Sequence, residues 1–313
     1  MSFLSSVFDT SVRGPIYVCT HVRPDCDAVG AQIAFTRYLC QLQKEAYCYW
    51  QEEVPSNLHF LKGDTRCVSR QEIQQAATFV ALDCADATRM DLQPASILLN
   101  VDHHPNNPCF ATYNYAKEDY SSTCEILIEL FKEDHWTPDL GSAQALYAGL
   151  LTDTGNFSHS NVSARTFDCA KFLLECTAIK PYEIIQQLFA QKQLAQLNLL
   201  SLFLSRIQLF CDGQIACVEL SSEDYLETHT KHSDTEGFIS NLLTLQTVKI
   251  AAFVDYNEHF VKGSLRSRTP EFAVNTVAQS LGGGGHVCAA GFQCPIDQFD
   301  CGQLIEKLSK LLS

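Results

Sequence analysis

The chain has 313 residues, of which 46% are hydrophobic and 19% charged, and its formal net charge is −14. This composition excludes a disordered polymer, and the length allows two domains, each with its own core. Overall negative charge excludes a protein that grips long duplex nucleic acid by a basic face, whereas a short anionic substrate in one cationic pocket remains compatible. No basic leader with an apolar core and no apolar run near about 18 residues is found, so a cytoplasmic protein that does not enter membranes is expected. Fifteen cysteines occur without any Cys-x-x-Cys pair, which points to reduced, mostly buried thiols rather than a zinc ribbon or redox motif.

The first predicted strand is Ile16–Thr20, after the Gly14-Pro15 break. Apolar residues Ile33, Phe35, Leu39 and Leu42 then recur at helical spacing, predicting a helix from Ala28 to Gln43. Between strand and helix lie His21, Asp25 and Asp27, where open α/β sheets bind their ligands. Pro24 stiffens the turn, and small Ala28 and Gly30 allow close approach of a ligand to the backbone. A single capping carboxylate would explain one aspartate and leave the other two groups unexplained, so metal binding is the better reading.

Further strands are expected at 46–50, 78–82, ending at Asp83, and 96–101, running into Asp102, His103 and His104. Short, nearly continuous apolar runs of this kind suit parallel strands covered on both faces. Acidic groups or histidines stand at the carboxyl end of three of the four strands. Ser122-x-x-Glu125 reads as a capping box opening a helix from Glu125 to Lys132. Helices follow at 142–151, 164–176 and 181–189, and a long helix at 194–209 reads as a connector. Beyond it come strands at 215–220, 248–256 and 260–265, and helices at 238–245, 272–281 and 303–312. The expected architecture is α/β: a doubly wound, mostly parallel sheet domain over 1–190, a helical linker over 191–212, and a smaller α/β domain over 213–313.

His21, Asp25, Asp27, Asp83, His103 and Asp153 form a candidate oxygen and nitrogen ligand set without thiolate. Such a set suits Mn²⁺ or Mg²⁺ better than structural zinc, with Zn²⁺ or Co²⁺ able to substitute. Four carboxylates balance two divalent cations. Two ions about 3.5–4 Å apart can activate a water and clamp the oxygens of a phosphoryl displacement. Asp83, on a central strand, is the candidate bridging ligand.

The motifs at His21-x-x-Pro24-Asp25-x-Asp27-Ala28-x-Gly30, Asp83, Asp102-His103-His104, Asp153-Thr154-Gly155-x-Phe157 and Gly282–Gly285-His286-x-x-Ala289-Ala290-Gly291 occur in order along nearly the whole chain. In these five motifs the sequence resembles the DHH phosphoesterase family, with its DHH-associated C-terminal domain. Ala31 stands where that family usually has Ser, a position that supplies no ligand. The resemblance implies two Mn²⁺ ions and a bridging water activated by both. One ion would be held by His21, Asp25 and Asp83, the other by Asp27, Asp83, His103 and Asp153. It also implies that His104 faces the scissile phosphate and that Asp102 orients an imidazole.

In the C-terminal part Lys262, Ser264 and Arg266 alternate along a strand and share a face, with Arg268 nearby. Arg266 can fork onto a terminal phosphate. Gly283, Gly284 and Gly285 offer backbone N–H groups to an anion, and His286 adds a donor. His59, His135, His229, His232 and His259 have no partner at ligand spacing, His159 and Cys26 read as incidental, and Arg89, six residues after Asp83, reads equally as a phosphate contact or an ordinary surface arginine.

The resemblance to the DHH family implies hydrolysis of short oligoribonucleotides or of 3′-phosphoadenosine 5′-phosphate. A cyclic di-AMP or pApA phosphodiesterase is the alternative, and a non-catalytic nucleotide-sensing module a more distant one. The partner is thus a short RNA, dinucleotide or mononucleotide. A homodimer is compatible with the sequence.

Overall fold

Parallel strands cannot be joined by tight turns, so the apolar runs of the N-terminal half must alternate with crossovers. The computed structural model describes residues 2–8, 12, 14–51, 54–74, 76–190 and 192–312. It divides into two compact units, Met1–Gln191 and Lys192–Ser313.

The first unit runs α1 (Phe3–Phe8), β1 (Ile16–Cys19), α2 (Cys26–Gln41), β2 (Ala46–Tyr49), β3 (Cys67–Val68), β4 (Thr78–Leu82), β5 (Leu99–Asp102) and β6 (Tyr113–Ala116). It continues with α3 (Thr123–Glu133), α4 (Leu140–Asp153), α5 (Ala164–Cys176) and α6 (Pro181–Phe189). The strands form a six-stranded sheet in the order β3-β2-β1-β4-β5-β6, and each pairing is parallel. This doubly wound order reverses direction between β1 and β4, the topological switch point at which such sheets bind ligands. Helix α2 is buried along nearly its whole length, from Cys26 to Thr36 and again at Tyr38 and Leu39. A helix enclosed on all sides needs small residues where its neighbours press closest. A Cβ on Gly30 would lie 2.4 Å from the Ala145 carbonyl oxygen of α4, so that glycine admits a helix and not, as expected above, a ligand.

The second unit runs α7 (Leu194–Ser205), β7 (Gln208–Phe210), β8 (Ile215–Leu220), α8 (Ser222–Thr228), β9 (Ile250–Tyr256), β10 (Phe260–Ser267), α9 (Val274–Gln279), β11 (Gly284–His286), β12 (Ala289–Pro295) and α10 (Cys301–Ser309). Its sheet has the order β11-β12-β10-β9-β8-β7. Strands β8 and β9 are parallel and the other pairs antiparallel. One face packs under α9 and α10 through Val261, Leu265, Val277 and Leu304. On the other face α7 covers β8 and β9 through Leu199 and Phe203 against Val218 and Phe253. The helix expected as a connector therefore contributes to this unit's core.

Several boundaries move. The connector helix ends at Ser205, and Gln208–Phe210 turns back as an edge strand on β8. Leu42 caps α2 and is exposed instead of buried. Helix α3 begins at Thr123, and only half of the expected capping box forms: Ser122 Oγ accepts from Glu125 N–H, while the Glu125 carboxylate takes the N–H of Ser121. Phe238–Thr244 is a 3₁₀ helix. The cysteines are all free thiols, seven of them buried, six half-buried and two exposed, so fewer are enclosed than their chemistry alone suggests. Among the described residues no helix is long and apolar enough to cross a membrane.

Candidate metal centre

Strands β1, β4 and β5 end side by side, and each delivers polar groups at its carboxyl edge. His21 follows β1, Asp83 follows β4, and Asp102 closes β5 ahead of His103 and His104. Asp25 is the N-cap of α2, where one carboxylate oxygen accepts the Ala28 N–H at 3.1 Å. Capping thus occupies one oxygen and leaves the carboxylate its second, so the two readings of this residue are compatible. Asp27 lies in the first turn of α2 and Asp153 is the last residue of α4.

Three overlapping sets each bring their donor atoms within 4.8 Å of one another: His21, Asp25 and Asp83; Asp83, His103 and His104; and Asp27, His103 and Asp153. Asp83 joins the first two. Its Oδ2 is 3.6 Å from His21 Nε2, and its Oδ1 is 3.6 Å from His103 Nε2. His103 Nε2 also lies 3.3 Å from Asp153 Oδ2. His21 Nδ1 sits 2.9 Å from the Val22 carbonyl, so Nδ1 carries the proton and Nε2 faces the carboxylates, the tautomer a ligand needs. Asp83 has φ 55°, a left-handed conformation that aspartate tolerates better than most residues.

The electrostatics show why this cluster calls for cations. Burial, reinforced by the charge of Asp83, pushes the Asp27 carboxyl up to about 7. Burial and the charges of Asp27, Asp25 and Asp83 push Asp153 well above the usual range. Asp153 also faces the negative end of its own helix dipole. Asp83 moves the other way: burial would raise it, but the surrounding imidazoles of His21, His103 and His104 hold it low. For His104, burial alone would lower the pKa, yet the hydrogen bond to Asp102 and the Asp83 charge raise it to about 9. Donors that are hard, crowded and mutually repelling fit divalent metal ions that prefer oxygen and imidazole.

In the second unit β10 presents Lys262, Ser264 and Arg266 on the face opposite the core residues Val261 and Leu265, as alternation requires. Arg266 and His286 flank Ala289 in register, and Ser264 and Gly284 flank Gly291. Gly284–His286 is thereby an edge strand and not a loose loop. Arg268 is engaged elsewhere, donating to the carbonyls of Leu243, Leu245 and Val248.

Residues 15–150 match the DHH family, N-terminal domain, and residues 215–313 match the DHHA1 domain. A bifunctional oligoribonuclease and PAP phosphatase NrnA of Thermus thermophilus is 32% identical over 90% of this chain and 84% of its own length. The chain belongs to the DHH family. A second relative, the bifunctional oligoribonuclease and PAP phosphatase NrnA of Bacillus subtilis, is 26% identical over 91% of this chain and 90% of its own. The fold matches that of an exopolyphosphatase-related protein from Bacteroides fragilis, with a TM-score of 0.87 at 22% identity over 99% of this chain and 94% of that one.

Beyond the family's motifs, the structure shows supports that the sequence reading missed. The backbone N–H groups of Thr123 and Cys124, at the start of α3, hold the two oxygens of Asp27 at 2.6 and 2.9 Å. Thr123 Oγ1 donates to Asp83 Oδ1 at 2.9 Å. Asn107 Nδ2 donates to Asp102 Oδ2 at 2.6 Å, while His104 Nδ1 lies 2.8 Å from Asp102 Oδ1. The buried Gln51 amide donates to the carbonyls of Thr20 and His21. The capping signal at Ser122 marked the start of α3 but gave no hint that this helix end would hold Asp27. His159 approaches the main-chain carbonyl of Asp153, not its carboxylate.

Proposed function

We propose that this DHH-family chain is a manganese-dependent phosphoesterase acting on short oligoribonucleotides and 3′-phosphoadenosine 5′-phosphate. The observation that carries this reading is the convergence of six nitrogen and oxygen donors on one sheet edge around Asp83. The names of the Thermus and Bacillus relatives supply the substrate class. His21, Asp25 and Asp83 would hold one divalent ion, and Asp27, Asp83, His103 and Asp153 the other, with Mg²⁺ or Co²⁺ as substitutes. Such ions, when bound, stabilise the charge of a phosphoryl displacement and make water a better nucleophile.

The chain's own groups do the rest. His104, held through Nδ1 by Asp102, donates its Nε2–H to a phosphoryl oxygen. Asp102 in turn is held by Asn107, which keeps the imidazole from rotating. Arg266, Lys262, Ser264, the backbone of Gly283, Gly284 and Gly285, and His286 bind anionic groups along the substrate.

Turnover by the full chain in Mn²⁺, measured on 3′-phosphoadenosine 5′-phosphate, di- and tetraribonucleotides and cyclic di-AMP, tests this reading. The short linear substrates should be hydrolysed well and cyclic di-AMP poorly. A marked preference for cyclic di-AMP would transfer the protein to that reaction class. Tight nucleotide binding without any hydrolysis would make it a sensing module.

A further inference from the structure

Asp255 is buried on β9, and two side chains of the second unit converge on it. Tyr225 Oη donates to its Oδ1 at 2.9 Å, and His232 Nδ1 lies 2.8 and 2.9 Å from its two oxygens. The rings of Tyr225 and His232 are in contact, with centroids 4.0 Å apart. The sequence reading found no partner for His232 because the carboxylate lies 23 residues away. A carboxylate that takes the Nδ1 proton leaves the Nε2 edge pointing away from it, the arrangement by which proteins aim an imidazole at a ligand.

The position of this group on the sheet gives it a use. Along β9, Asp255 shares a face with Ala251 and Phe253, which α7 and the 3₁₀ helix at Phe238–Thr244 cover. Directly opposite Asp255 in register stands Lys262, the exposed first member of the row Lys262, Ser264, Arg266. Asp255 therefore marks the border where the covered part of this face gives way to the open part. Lys262 and Arg266 are four residues apart, about 13 Å along a strand. Between them the floor is Ser264, Gly291 and Gly284, a cross-strand row with almost no side-chain bulk. Cationic or donor groups thus stand at two ends of a shallow trough: Arg266 and His286 at one, Lys262 with His232 at the other.

We infer that Lys262 and His232, the latter aimed by Asp255 and Tyr225, form a second phosphate subsite that engages a nucleotide beyond the one bound at Arg266 and His286. This subsite makes the second unit a reader of chain length. A mononucleotide held at the Arg266 end does not reach it, whereas an oligonucleotide does. Within this group His232 and Lys262 touch the ligand, and Asp255 and Tyr225 are positioning residues. The inference rests on the phosphoesterase reading above only for its substrate class.

Steady-state kinetics of the full chain in Mn²⁺ on 3′-phosphoadenosine 5′-phosphate and on a triribonucleotide, comparing the native protein with His232→Gln and Asp255→Asn, test it. Both variants should raise KM for the triribonucleotide about tenfold, leave its kcat within twofold, and raise KM for the mononucleotide far less. An equal rise on both substrates, or no rise on either, overturns the subsite. Should a variant lose its native melting transition, Tyr225→Phe, which removes only the hydroxyl that donates to Asp255, takes its place with the same length-dependent expectation. Binding of a fluorescent triribonucleotide in EDTA separates the two ideas. If the native protein hydrolyses nothing, the phosphoesterase reading fails, while weaker triribonucleotide binding by His232→Gln still supports the subsite and unchanged binding refutes it.

Discussion

Asp83 combines three demands in one residue. It must be anionic between two imidazoles, it must sit at the end of a central strand, and its backbone must adopt φ 55°. Asparagine meets the last two and fails the first, since it also tolerates left-handed backbone. Asp83→Asn should therefore leave melting behaviour close to native while lowering Mn²⁺-dependent turnover roughly a thousandfold or more. Activity within tenfold of native would remove Asp83 from the centre. Alanine is the poorer probe, because its left-handed backbone adds about 1–2 kcal/mol of strain. Asn107 acts at one remove. It donates to Asp102, to Asn100 Oδ1 and to the Cys84 carbonyl, so Asn107→Ala leaves a buried carboxylate short of one donor. A drop of about 10–100-fold in turnover or metal affinity is expected, with Mn²⁺ titration of activity distinguishing the two.

Among the elements, α2 and α4 set the height of Asp27 above the sheet. A Cβ on Gly149 would stand 2.5 Å from Cys124 Sγ and 2.9 Å from Asp27 Oδ1. Gly149→Ala should destabilise the chain by about 1–3 kcal/mol through overpacking and weaken Mn²⁺ binding by displacing Asp27. Adding Cys124→Ala relieves the sulfur contact but not the carboxylate contact. Denaturant melts of the double variant should accordingly recover stability while metal affinity stays low. Recovery of both together would show that the helix spacing does not govern the ligand. The capping box at Ser122 illustrates how element-scale signals can be half right. Its serine caps as expected, yet Glu125 is drawn inward to Ser121 N–H and Thr166 Oγ1, because a buried carboxylate takes the strongest donors within reach.

At the scale of the whole molecule, stability without metal should fall as pH rises. Asp27 has a folded pKa of about 7, above its unfolded value of about 3.9. Between those values the folded chain holds the extra proton, so stability is lost as pH rises through the window. His104 shifts in the same direction, and its contribution, full below about 6.5, fades as pH approaches about 9. Asp83 is held low, so its contribution is constant above the ordinary carboxylate range and is lost only at more acid pH. Divalent ions need deprotonated ligands and bind the folded state. Thermal melts with excess Mn²⁺ should show a larger stabilisation near pH 8 than near pH 5.5, and an equal or reversed effect would contradict the site's electrostatics.

Much of this was legible before any fold was known. Strand and helix types follow from local spacing of apolar residues, and the ligand candidates follow from polar groups placed at the ends of apolar runs. The five motifs identify the family because they occur together and in order, each on a local stretch that can be read without knowing the fold. The amino-acid sequence by itself thus determined the family, the layered α/β architecture and the residues able to hold metal. Only the tertiary structure decided that β1, β4 and β5 lie side by side, that the start of α3 holds Asp27, that Asn107 holds Asp102, and that His232 meets Asp255. These contacts join residues on different elements, and what brings them together is the order of strands and the packing of helices, which no local stretch of chain encodes.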